Sequence, residues 1–197
     1  MILDGRWCDY KVDKVVYDVR SEHQHVMILN TMDFGNLLVL DGYANLAESD
    51  TVQYTHSLMN LPEVRLRNMV YIQHIFIGYS LLLNVDDIFY SKDRDSYANS
   101  SVLILGGGDG GLLKELLELE KPPNQVVMID LDEAVMVGCS KHMRSVSGPY
   151  MDTDKRKGAN YEVICGDAIL YMEKAKVSFM IDNLKLWHIR IKYGTNF

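Results

Sequence analysis

SVLILGGGDGGLLKELLELEK, residues 101–121, decides how the chain is read. SVLIL has the character of a buried strand, GGGDGG is a glycine-rich turn, and LLKELLELEK carries apolar residues at helical spacing. The same order returns twice downstream. VVMID (126–130) is a second apolar strand, followed by a helical EAVMVGCSKHMRSV (133–146). After the polar, loop-like PYMDTDKRKGAN (149–160) comes YEVIC (161–165), a third strand, and then a helical AILYMEKAK (168–176). Strand and helix in alternation predict a parallel, doubly wound sheet, an α/β fold.

Upstream the pattern differs. KVDKVVYDV (11–19), HVMILNT (25–31) and NLLVLDG (36–42) alternate or run apolar, and Gly35 and the Asp41-Gly42 pair are turn signals, so residues 1–47 read as strands and hairpins. A short helix is expected from Glu48 or Ser49 to about Met59, capped by Ser49 or Asp50. Four regions follow: a β-strand domain over 1–60, an atypical insertion over 61–95, a nucleoside-binding domain over 96–176 and a divergent tail over 177–197.

Composition sets the boundaries. The chain has 197 residues, 48% of them hydrophobic and 24% charged, as in globular proteins. Lys and Arg number 20 against 27 Asp and Glu, a net charge of −7 that argues against nucleic acid and suits a cationic ligand. Cys8, Cys139 and Cys165 are few and far apart, with no CxxC pair, so neither a disulfide framework nor a structural zinc site is indicated, and a cytoplasmic location is expected. Cys139 reads as core. His23 and His25 lie two apart, but no third ligand has matching spacing, so no metal is expected. The most apolar stretch, VYIQHIFIGYSLLLNV (70–85), is short for a bilayer span and carries polar residues, so no membrane segment is expected.

The glycine-rich loop carries the chemistry. Gly106, Gly107, Gly108, Gly110 and Gly111 sit between a strand and a helix, where ligands bind at strand C-termini and helix amides are unpaired. Asp130 and Asp132 follow one strand–helix unit later, where an acidic residue takes a ribose diol. Asp109 then discriminates among nucleoside ligands. It would repel a pyrophosphate, or the carboxylate of S-adenosylmethionine, and attract an ammonium. The alternative is that Asp109 only caps the helix.

Taken together, VLILGGGDGGLLKELL, VVMIDLDEAVMVGCSKHMR and YEVICGDA resemble the aminopropyltransferases of polyamine synthesis, the spermidine/spermine synthase family. DGRWCDYKVDKVVYD, SEHQHVMIL, FGNLLVLDGYANLAESD and YTHSLM extend the resemblance to the N-terminal part, and LAESD (46–50) is more similar to the spermine-forming branch. The resemblance implies a Rossmann-like, methyltransferase-type sheet preceded by a small β-domain. It implies transfer of an aminopropyl group from decarboxylated S-adenosylmethionine, as co-substrate and with no prosthetic group, to spermidine, giving spermine and methylthioadenosine. By the same resemblance Gln24, Asp130, Asp167 and Ala168 would contact the donor nucleoside, and Tyr54 and Asp109 the amine. Asp167 also reads as a strand-end turn residue, and Gln24 as an exposed strand residue.

The family's catalytic aspartate has no match at its expected position. FMIDNL (179–184) imitates its surroundings only faintly, with Asp182 the nearest candidate. The sheet is therefore expected to stop after about three strands and to leave the SVLIL edge open, with WHIRIKY in the tail as a possible substitute strand. Residues 64–95 and 177–197, which leave the family pattern, read as translated intron or alternatively spliced sequence. The N-terminal dimerisation domain of animal spermine synthases is not found in the sequence, which leaves dimerisation open. Two other functions fit: an S-adenosylmethionine-dependent small-molecule methyltransferase, and a non-catalytic nucleoside-binding or regulatory fragment.

Overall fold

The computed structural model describes residues 10–59, 97–174 and 184–187. The 70–85 stretch, Cys8, Asp182, the whole atypical insertion and most of the tail lie outside the described residues. Four antiparallel strands come first: β1 (Val12–Arg20), β2 (His25–Thr31), β3 (Gly35–Leu40) and β4 (Tyr43–Ala47), in the order β1-β2-β3-β4. The β3–β4 turn is Asp41-Gly42 with φ of 51° and 81°, the two positive angles that a tight two-residue hairpin turn demands. A 3₁₀ turn (Glu48–Asp50) leads into α1 (Thr51–Leu58), and Asp50 reaches back to accept from the Ala47 amide at 2.9 Å.

The second sheet is parallel. Its strands are β5 (Ser101–Leu105), β6 (Gln125–Asp130), β7 (Tyr161–Cys165) and β8 (Leu184–Trp187), in the order β7-β6-β5-β8. The helices are α2 (Gly111–Leu117), α3 (Glu133–His142), α4 (Arg144–Ser147) and α5 (Ala168–Lys174). The tail covers the edge that the three expected strands leave open: Ser101 through Ile104 of β5 pair in parallel with Leu184 through Trp187. β8 begins three residues before WHIRIKY and shares only Trp187 with it. A buried apolar strand such as β5 needs ladder partners on both sides, and the tail supplies the second.

The continuous helix expected over 133–146 is broken at Met143, whose backbone (φ −128°, ψ 51°) leaves the helical region. The physical reason lies in the first sheet. Asn36 Nδ2 donates to the His142 carbonyl at 2.5 Å, satisfying a C-terminal oxygen that α3 leaves open, while the Met143 side chain is fully buried.

One hydrophobic core joins both sheets. Alternate residues Val26, Ile28, Leu38 and Leu40 face α3 and share a cluster with Val102, Ile104, Leu113, Leu116, Met128, Met136 and Cys139. Burial raises the Cys139 thiol pKa well above its usual range, and the residue packs as core. The opposite face of the first sheet gathers Leu37, Val39 and Ala47, and that of the parallel sheet Leu103, Leu105 and Ile129 beside Tyr171 and Met172 of α5. Among the described residues no helix is long and apolar enough to cross a membrane.

Two predictions follow from this packing. Tyr17 lies flat on Gly138, where an added Cβ would stand 2.8 Å from the ring, and the Tyr17 hydroxyl donates to the Ala134 carbonyl at 3.1 Å. Gly138→Ala is expected to cost about 1–3 kcal/mol by overpacking, read as a lower urea midpoint with unchanged slope. At the α3–α4 corner the Arg144 guanidinium grips Asp152, with Nη2 2.9 Å from Oδ2, and holds that carboxyl down at about 2. Because the folded value lies below the unfolded one, the pair stabilises fully above about pH 4. That contribution fades as pH falls toward 2. Asp152→Asn should therefore flatten the pH dependence of stability between pH 4 and 2 in acid titrations followed by circular dichroism.

Candidate nucleoside and amine site

The glycine-rich loop runs from the end of β5 into α2. Gly110 adopts φ +80°, and a Cβ there would meet Met151 at 2.7 Å and the Ser147 backbone at 3.1 Å. A Cβ on Gly108 would stand 2.7 Å from Asp130 Oδ2. The absent side chains thus make room for the protein's own groups, carboxylates among them. Gly108 N donates to Asp130 Oδ2 at 2.7 Å and Gly111 N to Asp109 Oδ1 at 2.7 Å. Gly106 N goes to the Ile129 carbonyl and Gly110 N to the Gly107 carbonyl, both at 2.8 Å. Most of the loop's amides are therefore engaged, two of them by carboxylates, which is the opposite of an open anion cradle.

The two acids that looked equivalent in sequence have different surroundings. Asp130, half-buried at the end of β6, accepts on Oδ2 from the loop and on Oδ1 from Asp132 N at 2.8 Å. Asp132 is only 2% exposed. Its Oδ1 caps α3 through Ala134 N at 3.0 Å, and its Oδ2 accepts from Ser21 Oγ at 2.8 Å and Gln24 Nε2 at 2.9 Å. The β1–β2 turn is thereby fastened to the end of β6, and Gln24 is linked to Asp130 through Asp132, whose backbone amide Asp130 holds.

Tyr54 sits half-buried on α1 against the main core. Its helix borders the loop, since a Cβ on Gly111 would stand 3.0 Å from Asp109 Oδ1 and 3.2 Å from the Thr55 methyl. Asp167 Oδ1 accepts from Ile169 N at 2.7 Å and Leu170 N at 3.1 Å, so it caps α5, and the neighbouring Ala168 packs under the parallel sheet. Gly166 N donates to the Asp130 carbonyl at 2.8 Å, tying the ends of β6 and β7 together. Asp130, Asp167 and Gln24 thus share the carboxyl edge of the sheet, with Asp109 and α1 across the loop.

An open cleft of about 470 Å³ lies between Tyr17 and residues 21–23 on one side and residues 131–134 with Val137 and Cys165 on the other. Asp109, Asp130 and Asp167 do not line it; it flanks the site along the first turn of α3. The Arg156 guanidinium, bonded to both Glu133 oxygens at 2.8 Å, keeps that rim carboxyl ionised below its usual range. His23 approaches Glu22 at 3.5 Å and His25 approaches Asp18 at 2.6 Å, so the two histidines take separate carboxylates. Among the described residues no three metal-ligating side chains gather.

Sequence reading missed the roles of Ser21 and Asp132. A Ser three residues before Gln24 in a tight turn is a weak signal, and only the tertiary pairing exposes it. The acids of LAESD likewise have structural partners: Glu48 accepts from Asn36 N at 2.8 Å and from Ser145 Oγ, bridging the two modules.

Comparison with known proteins bears on the family and the fold. Residues 2–48 match the model described as the spermidine synthase tetramerisation domain, and residues 87–184 that of the spermine/spermidine synthase domain. The β1–β4 sheet falls within the first match, whose model is named for tetramerisation, whereas the expectation concerned the N-terminal dimerisation domain of animal spermine synthases. A polyamine aminopropyltransferase of Thermoanaerobacter sp. (strain X514) is 28% identical over 169 residues, covering 86% of this chain and 48% of that protein. Spermidine synthase 2 of Arabidopsis thaliana is 24% identical over 165 residues, covering 84% of this chain and 38% of the relative. The crystal structure of spermidine synthase from Thermotoga maritima superimposes with a TM-score of 0.58 at 21% identity, over 84% of this chain and 45% of that one. A spermidine synthase in complex with the transition state analogue AdoDATO aligns equally well. The chain spans about half the length of the curated relatives it matches. With both family domains matched in order and the fold shared, this chain belongs to the spermidine/spermine synthase family.

Proposed function

We propose that the site binds decarboxylated S-adenosylmethionine and serves aminopropyl transfer to spermidine, yielding spermine and methylthioadenosine. The observation that carries this reading is the glycine loop whose amides are taken by Asp109 and Asp130. A loop filled with carboxylates disfavours an anionic ligand group and favours an ammonium or sulfonium. The donor fits, having lost its carboxylate and kept both cationic groups. Asp130 would accept from the ribose and Asp167 would lie near the adenine, while Asp109 and Tyr54 would hold the amine. The new C–N bond forms as the C–S bond breaks, the sulfonium becomes a neutral thioether, and the attacking amine gives up its proton.

Spermidine as acceptor rests on the resemblance of LAESD to the spermine-forming branch, and the −7 net charge suits a polycation. Location in the cytoplasm is part of the same proposal. Asp182 remains the nearest candidate for the proton acceptor.

Competition tests the reading. Decarboxylated S-adenosylmethionine should displace methylthioadenosine at least about tenfold more readily than S-adenosylmethionine does, a difference of about 1.4 kcal/mol. Equal displacement would point to the methyltransferase alternative. Asp130→Asn should abolish nucleoside binding. It should also cost about 1–3 kcal/mol in denaturant titrations, because an amide has one oxygen for the two backbone donors that Asp130 serves. Spermine appearing by mass spectrometry on addition of spermidine would establish turnover. Nucleoside binding without it would leave the non-catalytic reading.

A further inference from the structure

We propose that Asp132 is a positioning residue of the nucleoside site: it orients the Gln24 amide so that Nε2 faces protein and Oε1 is the acceptor offered to the ligand. This rests on the nucleoside-binding reading above.

A glutamine amide presents a donor at one end and an acceptor at the other, and rotating it by half a turn exchanges them at almost no steric cost. A partner that can only accept removes the ambiguity. Asp132 Oδ2 stands 2.9 Å from Gln24 Nε2, and its carboxylate accepts from Ser21 Oγ and Ala134 N as well. All three neighbours donate to it. Asp132 is only 2% exposed, so water has little access to these contacts. Gln24 Oε1 accepts from no described residue. The Gln24 backbone is held too, because Ser21 Oγ accepts from its amide at 3.1 Å while the one hydroxyl proton goes to Asp132. Main chain and amide plane are both fixed, and what remains is a single acceptor on a side chain bonded to Asp132, whose own backbone amide is held by Asp130. A ribose diol has two hydroxyl protons to place: Asp130 takes one and Gln24 Oε1 the other.

Asp132→Asn inverts the arrangement while sparing the fold. The new amide keeps its oxygen on Ala134 N, so α3 stays capped, and turns its nitrogen toward Ser21 and Gln24. Gln24 must then rotate and offer Nε2 where Oε1 had been. Adding Gln24→Glu should restore the original pattern, since a carboxylate accepts at both ends and the net charge of the pair returns to the natural value. Methylthioadenosine is uncharged at neutral pH, which makes it a probe of hydrogen-bond direction in place of charge.

The experiment reads two quantities on the same samples. In ¹⁵N–¹H spectra the Gln24 side-chain pair, assigned through Gln24→Glu, should exchange at least about tenfold more slowly than an exposed glutamine, and Asp132→Asn should abolish that protection. In calorimetric titrations with methylthioadenosine, Asp132→Asn should weaken binding about tenfold, and Asp132→Asn/Gln24→Glu should recover to within about threefold of the natural chain. An unprotected Gln24 amide in the natural chain, unchanged affinity in Asp132→Asn, or a double variant no better than the single one would each overturn the proposal. If Asp132→Asn fails to fold, Gln24→Glu alone decides: a carboxylate facing Asp132 should weaken binding comparably, and full affinity would refute the orientation. A natural chain that binds no nucleoside would refute the functional reading itself, and the amide signal would still judge the role of Asp132.

Discussion

The structure depends on the burial of the first sheet against α3. β2 and β3 carry apolar residues on both faces, over 26–29 and 37–40, and a single four-stranded sheet cannot cover both by itself. Val26, Ile28, Leu38 and Leu40 find cover only in the core that α3 shares with the parallel sheet. Once that face is covered, the polar seams fall into place around it. Tyr17 closes over Gly138, Asn36 ends α3, Glu48 reaches Ser145, and Asp132 takes the β1–β2 turn. The candidate site is a by-product of this docking, because Gln24 belongs to one sheet and Asp130 to the other.

Much of this was legible in the chain, and the reasons differ by element. The strand–glycine–helix unit at 101–121 reads correctly because local pattern and tertiary role agree there: an apolar run suits a strand buried on both faces, and glycines suit a crowded turn. The Asp41-Gly42 turn is legible for the same reason. The break at Met143 is not, since nothing local ends that helix; a carbonyl captured from another sheet does. β8 is legible only in part: the tail alternates like a strand, but the expected strand starts at Trp187, where the observed pairing of Leu184–Trp187 with β5 is already in its last residue.

The site was legible as a set of acids and illegible as an arrangement. Asp130 and Asp132 are separated by one residue, and a period of two places them on the same face of an extended chain without saying which meets ligand and which meets protein. Burial decides that. Asp167 shows the converse: its capping bonds to α5 use one oxygen, so a structural duty and a ligand duty are compatible in one carboxylate. Asp109 follows the same logic, bonded to Gly111 N and yet only half-buried beside α1.

The pairing of β8 with β5 has a consequence in time. Ser101 meets its ladder partner Leu184 roughly eighty residues later in the chain. At the about 5–20 residues per second of synthesis, β5 emerges roughly 4–16 s before the segment that completes its sheet. During that interval an apolar strand destined for the middle of the sheet has one edge open, and contacts this distant in sequence form slowly even when both partners are present. The nascent chain is in that window a natural client for chaperones that hold extended apolar segments, and its yield on expression should respond to their supply more than that of a protein whose central strands are neighbours in sequence.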